Sequence, residues 1–476
     1  MEAKSFSDGG AAAPHLALLP TPGAGHLIPF TELAKILVAR HGFSVTIITL
    51  AASASKAQDA VLSSLPPAIA SLALPAVPLD DLPADAHIVT IMCVAASRSG
   101  HFLRTELSRL QASSNLVALV CDIFATDAFA IARGLGVPPY MFFPSNLLTL
   151  SILLHLPELD ASVACEYRDL PEPLRLPGCV PVPGPELLEP IQDRSSEAYR
   201  WMLHHGRQYR DAEGIIVNTF EALEPGAAKV LRQNEPGRPP VYLVGPLTRL
   251  LSAEGEKDAD CLRWLDRQPA GSVLFVSFGS AGTLSTVQMT ELALGLEMSG
   301  ERFLWVVRSP NDDGDVSESY FTAQSKADPF RFLPAGFVER TNEVGLLVPS
   351  WAPQVAVLGH SATGGFLSHC GWNSTLESVM SGVAILAWPL FAEQRQNAVM
   401  LAEGARIALR PRAAEGGLVS REEVARVVKE LMNGEEGKAA RRRVSELQEA
   451  ALRGHGDGGA AFQALDEVAS RWKSAN

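Results

Sequence analysis

What most narrows the fold of this chain is an alternation, run through twice, of short apolar segments with stretches of helical period. In the first half HLALLP (15–20) is followed by a helical pattern over 31–40, a stop at Gly42 and a second apolar run, SVTIITL (44–50). Apolar runs of this length without polar alternation suit strands buried on both faces, and strand–helix–strand punctuation is that of a parallel sheet. LVALVCD (116–122), GIIVNT (214–219) and VYLVGP (241–246) continue the series. It restarts with SVLFVSFGS (272–280), RFLWVVR (302–308), GLLVPSW (345–351), TGGFLSH (363–369) and AILAWP (384–389), with the clearest helix over 286–299. LTRLLSAEGEKDAD (247–260), polar and without an apolar face, separates the two series and puts a boundary near Leu250. The expected fold is α/β, with two Rossmann-like doubly wound domains, 1–250 and 251–455, facing a central cleft. A terminal helix in 456–476 is expected to pack back on the first domain. The Pro-rich stretch 170–190 and the acidic 311–328 read as loops, and 419–434 as a helix capped by Ser420.

With 476 residues, 47% of them hydrophobic, the chain can bury the cores of two or three domains of about 150 residues. The balance of 40 basic and 53 acidic side chains, a net charge of -13, disfavours nucleic acid and anionic membrane as partners. Six cysteines at 93, 121, 165, 179, 261 and 370 form no CxxC pair, which suits a reducing compartment. No signal-peptide core and no window of 18 uninterrupted apolar residues is found. A soluble, cytoplasmic monomer is the expectation.

Two side chains of the first half could do chemistry. The turn PTPGAGH (20–26) leaves His26 at the carboxyl end of the first strand, where a cleft residue would stand, although a packed histidine reads the same way. A dinucleotide fingerprint is disfavoured because Ile28 stands where its third glycine belongs. Asp122 ends the run LVALVC, either as a helix cap or as the partner of a polar group such as His26. A carboxylate on one imidazole nitrogen fixes the tautomer and leaves the other free to take a proton.

The most informative stretch is WAPQVAVLGHSATGGFLSHCGWNSTLESVMSGVAILAWPLFAEQ (351–394). A strand ends at His369, a Cys-Gly turn follows, and Asn373 or Ser374 is expected to cap the next helix. Such a helix start is an anion site. No GxxxxGK[ST] loop competes with it. Capping accounts for Asn373 and Ser374 singly, but not for Glu377, Glu393 and Gln394 bracketing the same elements.

This stretch resembles the signature box of plant UDP-sugar glycosyltransferases of secondary metabolism. The resemblance runs over essentially the whole chain, through LLPTPGAGHLIPF, LPGCVPV and VLFVSFGS, and is nearest to the phenolic or hydroquinone glucosyltransferases. It implies the GT-B fold, with the acceptor on the first domain and the UDP-sugar on the second. Trp351 would stack on uracil, with Ala352 and Gln354 beside it, and Glu377 would hold the ribose hydroxyls. His369, Asn373, Ser374 and Ser280 would bind the diphosphate. Trp372, through its backbone, with Glu393 and Gln394 would read the sugar, the terminal Gln being the family's usual glucose choice. The family commonly has Asp where this chain has Glu393. Ser145 matches a position near the sugar or the catalytic pair, while His360 reads as structural.

The reaction implied is direct displacement at C1 of UDP-glucose, His26 acting as base and Asp122 orienting it. UDP-glucose is then a substrate, and neither a resident cofactor nor a metal is expected. The residues are also compatible with N- or C-glucosylation of an aromatic acceptor and with a non-catalytic small-molecule binder. A nicotinamide-dependent oxidoreductase is the weaker alternative. Loops around 142–148, 187–199 and 86–102 are expected to shape the acceptor pocket.

Overall fold

The computed structural model of the chain describes residues 13–51, 56–83, 85–248, 259–312 and 328–474. The expected boundary at Leu250 and most of the 311–328 loop lie outside the described residues. Among the described residues, two all-parallel sheets account for the two series of apolar runs. The first has seven strands: β1 (Pro14–Leu19), β2 (Ser44–Leu50), β3 (Ile69–Leu74), β4 (Asn115–Asp122), β5 (Pro139–Phe143), β6 (Ile215–Val217) and β7 (Val241–Leu243). Their order is β3-β2-β1-β4-β5-β6-β7. The second has six: β8 (Val273–Ser277), β9 (Arg302–Val307), β10 (Gly345–Pro349), β11 (Thr363–Ser368), β12 (Ile385–Ala387) and β13 (Ala408–Leu409), ordered β10-β9-β8-β11-β12-β13.

In each sheet the strand order reverses at one place, between β1 and β4 and between β8 and β11. A crevice opens there at the carboxyl ends of the strands, because the flanking connections leave to opposite faces. Register brings the ends level: Leu19 pairs with Cys121, and Ser277 with Ser368. The segments after these four strands therefore converge in pairs, 20–26 with Asp122 and 278–284 with 369–373.

Three local features differ from the sequence-based expectation. The first helix spans Ala24–His41 rather than starting at residue 31, so His26 lies in its first turn. Gly23, at φ 116, precedes it in a conformation that L side chains rarely adopt. The helix after β11, Trp372–Met380, is entered through Gly371 with no side-chain cap, so neither Asn373 nor Ser374 caps it. Both lie in its first turn, with their side chains engaged elsewhere. The stretch 86–102 is largely helical, within Ile88–Arg98 and Gly100–Ser113, rather than a loop.

The terminal helix Ala460–Ser474 lies on the first sheet. Leu465, Val468, Ala469 and Trp472 share a core with Leu16, Leu18, Val45 and Tyr140, and the Trp472 ring meets Tyr140 edge-on at 5.3 Å and Phe43 at 5.8 Å. A helix from the far end of the chain thus closes one face of the sheet that positions His26.

Candidate active site

The centre of the first sheet's crevice is a histidine–carboxylate pair. His26 Nδ1 lies 2.8 Å from Asp122 Oδ2, the carboxylate fully buried and the imidazole 14% exposed. Asp122 is held from two further sides, Oδ2 accepting from the Thr21 amide at 3.1 Å and Oδ1 from the Ile123 amide at 2.6 Å. Three N–H groups thus converge on one buried carboxylate. Burial by itself pushes the His26 pKa down, but the charge and hydrogen bond of Asp122, aided by the charge of Glu393 from the opposite half, outweigh it, so the value is raised. Phe124 flanks the ring, with centroids 5.6 Å apart. With Nδ1 engaged, Nε2 is the nitrogen left for proton transfer.

In the second half His369 stands in a slot made by two glycines. A Cβ on Gly279 would come within 2.5 Å of its Cε1, and one on Gly371 within 2.3 Å of its Nε2. Desolvation by the surrounding protein pushes its pKa down to about 4, which keeps the ring neutral, and Nδ1 has no hydrogen-bond partner among the described residues. The adjoining helix start at Trp372 carries amides with no intrahelical acceptor, and the exposed Ser280 sits in the loop after β8. The slot, the loop and the helix start face one crevice.

Gln354, Ser374 and Glu377 form a second cluster, the Gln354 amide donating to Ser374 Oγ at 2.8 Å and to Glu377 Oε2 at 2.6 Å. Trp351, three residues before Gln354, is 62% exposed, an unusual state for so large an apolar surface, whereas Ala352 is buried. At the other end of the crevice Gln394 Oε1 accepts from the Leu390 and Phe391 amides at 2.9 and 3.1 Å, which turns its Nε2 toward other partners. Burial raises the pKa of neighbouring Glu393. His360 bonds Asp266 and the Ala362 amide, a structural setting away from these clusters. Among the described residues no group of three or more potential metal ligands occurs, and no helix is long and apolar enough to cross a membrane.

The two halves are joined by polar contacts made by the same residues. Pro29 has no N–H to give the Gly25 carbonyl one turn back, and the Asn373 amide fills the vacancy from the other half at 2.9 Å. The Trp372 indole donates to the Asn218 carbonyl at 2.7 Å. The Ser145 hydroxyl is buried without a partner among the described residues, next to Asn146, which reaches across to Asn397. Thr21, Asn146, Asn218, Asn397 and Gln396, whose Nε2 donates to Thr149 Oγ1 of the first half at 2.6 Å, escaped the sequence reading. Of these contacts only the proline four residues after Gly25 left a local trace.

A family model, UDP-glucoronosyl and UDP-glucosyl transferase, matches residues 247–450. Over 462 residues, 97% of this chain and 98% of the relative, the sequence is 53% identical to the hydroquinone glucosyltransferase of Rauvolfia serpentina. The chain belongs to this family of UDP-sugar transferases. Solved plant structures agree with it over nearly the whole length. UGT2 of Phytolacca americana, complexed with UDP-2fluoro-glucose and pterostilbene, matches with a TM-score of 0.90 at 51% identity, over 97% of this chain and 100% of the other. A UDP-glucosyltransferase of Polygonum tinctorium, complexed with 3,4-dichloroaniline, matches with a TM-score of 0.91 at 48% identity, over 98% and 100%. The protein is accordingly a plant-type, UDP-glucose-dependent glycosyltransferase with the GT-B fold.

Proposed function

We propose that this glycosyltransferase moves glucose from UDP-glucose to the hydroxyl of a small phenolic acceptor, with inversion, giving a β-glucoside and UDP. The observation that carries the proposal is the His26–Asp122 pair at 2.8 Å, which lies at the crevice of one sheet and feels the charge of Glu393 from the other half. Identity with a hydroquinone glucosyltransferase at 53% supports a phenolic acceptor.

A phenol has a pKa of about 10 and is a weak nucleophile while protonated. His26 Nε2 takes its proton as the phenolic oxygen bonds to C1 of the α-linked glucose; the C1–O bond to the β-phosphate breaks, and its electron pair leaves with UDP. General-base help of this kind is worth about 10²- to 10⁴-fold. Asp122 fixes the tautomer and stabilises the imidazolium. The exposed face of Trp351 stacks on uracil, with the Ala352 backbone and Gln354 alongside, and Glu377 accepts from the ribose hydroxyls. Ser280, His369, Asn373 and Ser374, with the helix-start amides, meet the charge that develops on the diphosphate. Trp372 through its backbone, with Glu393 and the Nε2 end of Gln394, addresses the glucose hydroxyls, Ser145 lying nearby. UDP-glucose serves as a substrate, with no resident cofactor or metal assigned a role.

Transfer to an aromatic amine is a second reading, favoured by the aniline in the Polygonum complex. One experiment tests both: phenols, anilines and flavonoids are assayed with UDP-glucose, and the linkage of each product is determined by NMR. An O-linked β-glucoside of a phenol is the expected main product. An α-linked product, or UDP release without acceptor transfer, would overturn the proposal.

A further inference from the structure

We infer that Asn146 and Asn397 form a positioning pair that aligns the sugar-reading carboxylate of Glu393 with the acceptor half; this rests on the sugar role proposed for Glu393. Asn397 is fully buried and makes contacts in three directions. Its Oδ1 accepts from Asn146 Nδ2 of the first half at 2.6 Å. Its Nδ2 donates to the Cys370 carbonyl at 3.0 Å and reaches Glu393 Oε1 at 3.4 Å.

The orientation of both amides is determined by groups that can act in only one sense. The Thr149 amide can only donate, and it donates to Asn146 Oδ1 at 2.8 Å, so the NH2 end of Asn146 must face Asn397. The Cys370 carbonyl can only accept, so the NH2 end of Asn397 must face it. A second strand closes the ring: Gln396 Nε2 donates to Thr149 Oγ1 at 2.6 Å, and Thr149 Oγ1 donates to Asn146 Oδ1 at 2.8 Å. Every member is buried. Buried polar groups of this kind tolerate few arrangements, since a slip of one leaves its neighbours without partners.

Two non-glycine residues in left-handed backbone, Cys370 at φ 64 and Ala392 at φ 56, stand at the two ends of this seam. Cys370 precedes the helix start assigned to the diphosphate, and its carbonyl is held by Asn397. Ala392 precedes Glu393, and its amide and carbonyl are both bonded to Glu189 of the first half, at 2.9 and 3.0 Å. The turns that present the donor site are thus tied to the acceptor half through hydrogen bonds between protein groups. Asn146 and Asn397 act through Glu393 and the Cys370 turn.

The test uses Asn146→Asp and Asn146→Ser in the full-length enzyme. Both residues still cap the helix Leu147–Ser162 through an oxygen facing the Thr149 amide. Asp opposes the Asn397 oxygen with another oxygen, and Ser is too short to reach it. The expected result is a fall in kcat of about tenfold or more, with the donor KM within about threefold of wild type. In a Glu393→Gln background the further fall is expected to shrink strongly, because residues acting through one another are not additive. If Glu393→Gln slows kcat and Asn146→Ser costs the same factor with and without it, the pair acts independently of Glu393 and this inference fails while the proposed function stands. If Glu393→Gln leaves kcat unchanged, the sugar role of Glu393 and this inference fall together. Melting temperatures identify a variant that has lost its fold; should Asp do so, Ser decides.

Discussion

Replacing Asp122 by Asn removes one charge and one acceptor from a site that offers three N–H groups. These come from Thr21 at 3.1 Å, Ile123 at 2.6 Å and His26 Nδ1 at 2.8 Å. If the Asn oxygen stays on Ile123, its NH2 faces the Thr21 amide and donates to His26 Nδ1. The imidazole proton is then driven to Nε2, the nitrogen that must accept from the phenol. If the amide flips, the NH2 faces the Ile123 amide instead. Either orientation leaves a buried donor unsatisfied, which costs about 1–3 kcal/mol of stability. The first orientation keeps the shortest of the three bonds, that to Ile123, and its wrong tautomer forfeits most of the general-base contribution, about 10²- to 10⁴-fold in kcat/KM, or roughly 2.7–5.4 kcal/mol of barrier. Charge adds a second signature. Wild-type activity requires neutral His26, whose pKa is raised, so kcat/KM should fall as pH drops through a midpoint above 6.5. In the variant burial is left with little opposition, and the acid limb of any residual activity moves below 6.5. Stability has the opposite sign: the ion pair contributes fully below 6.5, and its contribution is lost as pH rises through the raised value. The assay is kcat/KM against pH with UDP-glucose and a phenol, with UDP binding measured by calorimetry as the control. A variant within tenfold of wild type at neutral pH, or one with an unmoved acid limb, would refute the tautomer argument.

Trp351→Ala should raise the donor KM by roughly 5- to 150-fold, the equivalent of about 1–3 kcal/mol of base stacking, with an unchanged melting temperature because the side chain is 62% exposed. A change confined to the acceptor KM would contradict that placement. Gly371→Ala keeps an ordinary φ of −61 but puts a methyl 2.3 Å from His369 Nε2, so the ring must leave its slot. UDP affinity measured by calorimetry should drop about tenfold or more, with an overpacking cost of about 1–3 kcal/mol in stability. Trp472→Ala should lower unfolding stability by about 3–5 kcal/mol in urea titrations, since the ring is fully buried between the terminal helix and the first sheet. UDP binding to the folded variant should be unaffected.

Elements with strong local signals were legible. The helix Thr286–Ser299 and the Ser420 cap of Arg421–Asn433 are where period and capping chemistry put them. β3 was missed because it lies at an edge, with Ala70, Ser71 and Ala73 exposed, so its apolar run is short of hydrophobic signal. β5, PYMFF, is fully buried, yet it begins at the second of two prolines, Pro138 and Pro139, a pair that resembles a loop. The start of the first helix was hidden for a similar reason. Gly23, Gly25 and Pro29 all read as breakers, whereas Gly23 sets the entry, and the bond that Pro29 cannot make is replaced by Asn373 from the other half.

The sequence alone determined the two parallel sheets, the box from Trp351 to Gln394 and the candidates His26 and Asp122, because apolar period, turn residues and a long contiguous motif are local properties of a chain. The tertiary structure decided which of those residues meet. His26 and Asp122 become partners because β1 and β4 are register-matched neighbours at the reversal of strand order, though 96 residues separate them. The amides of Asn146 and Asn397, 251 residues apart, acquire a meaning only when two halves dock, since an amide carries no local pattern until another group is placed against it.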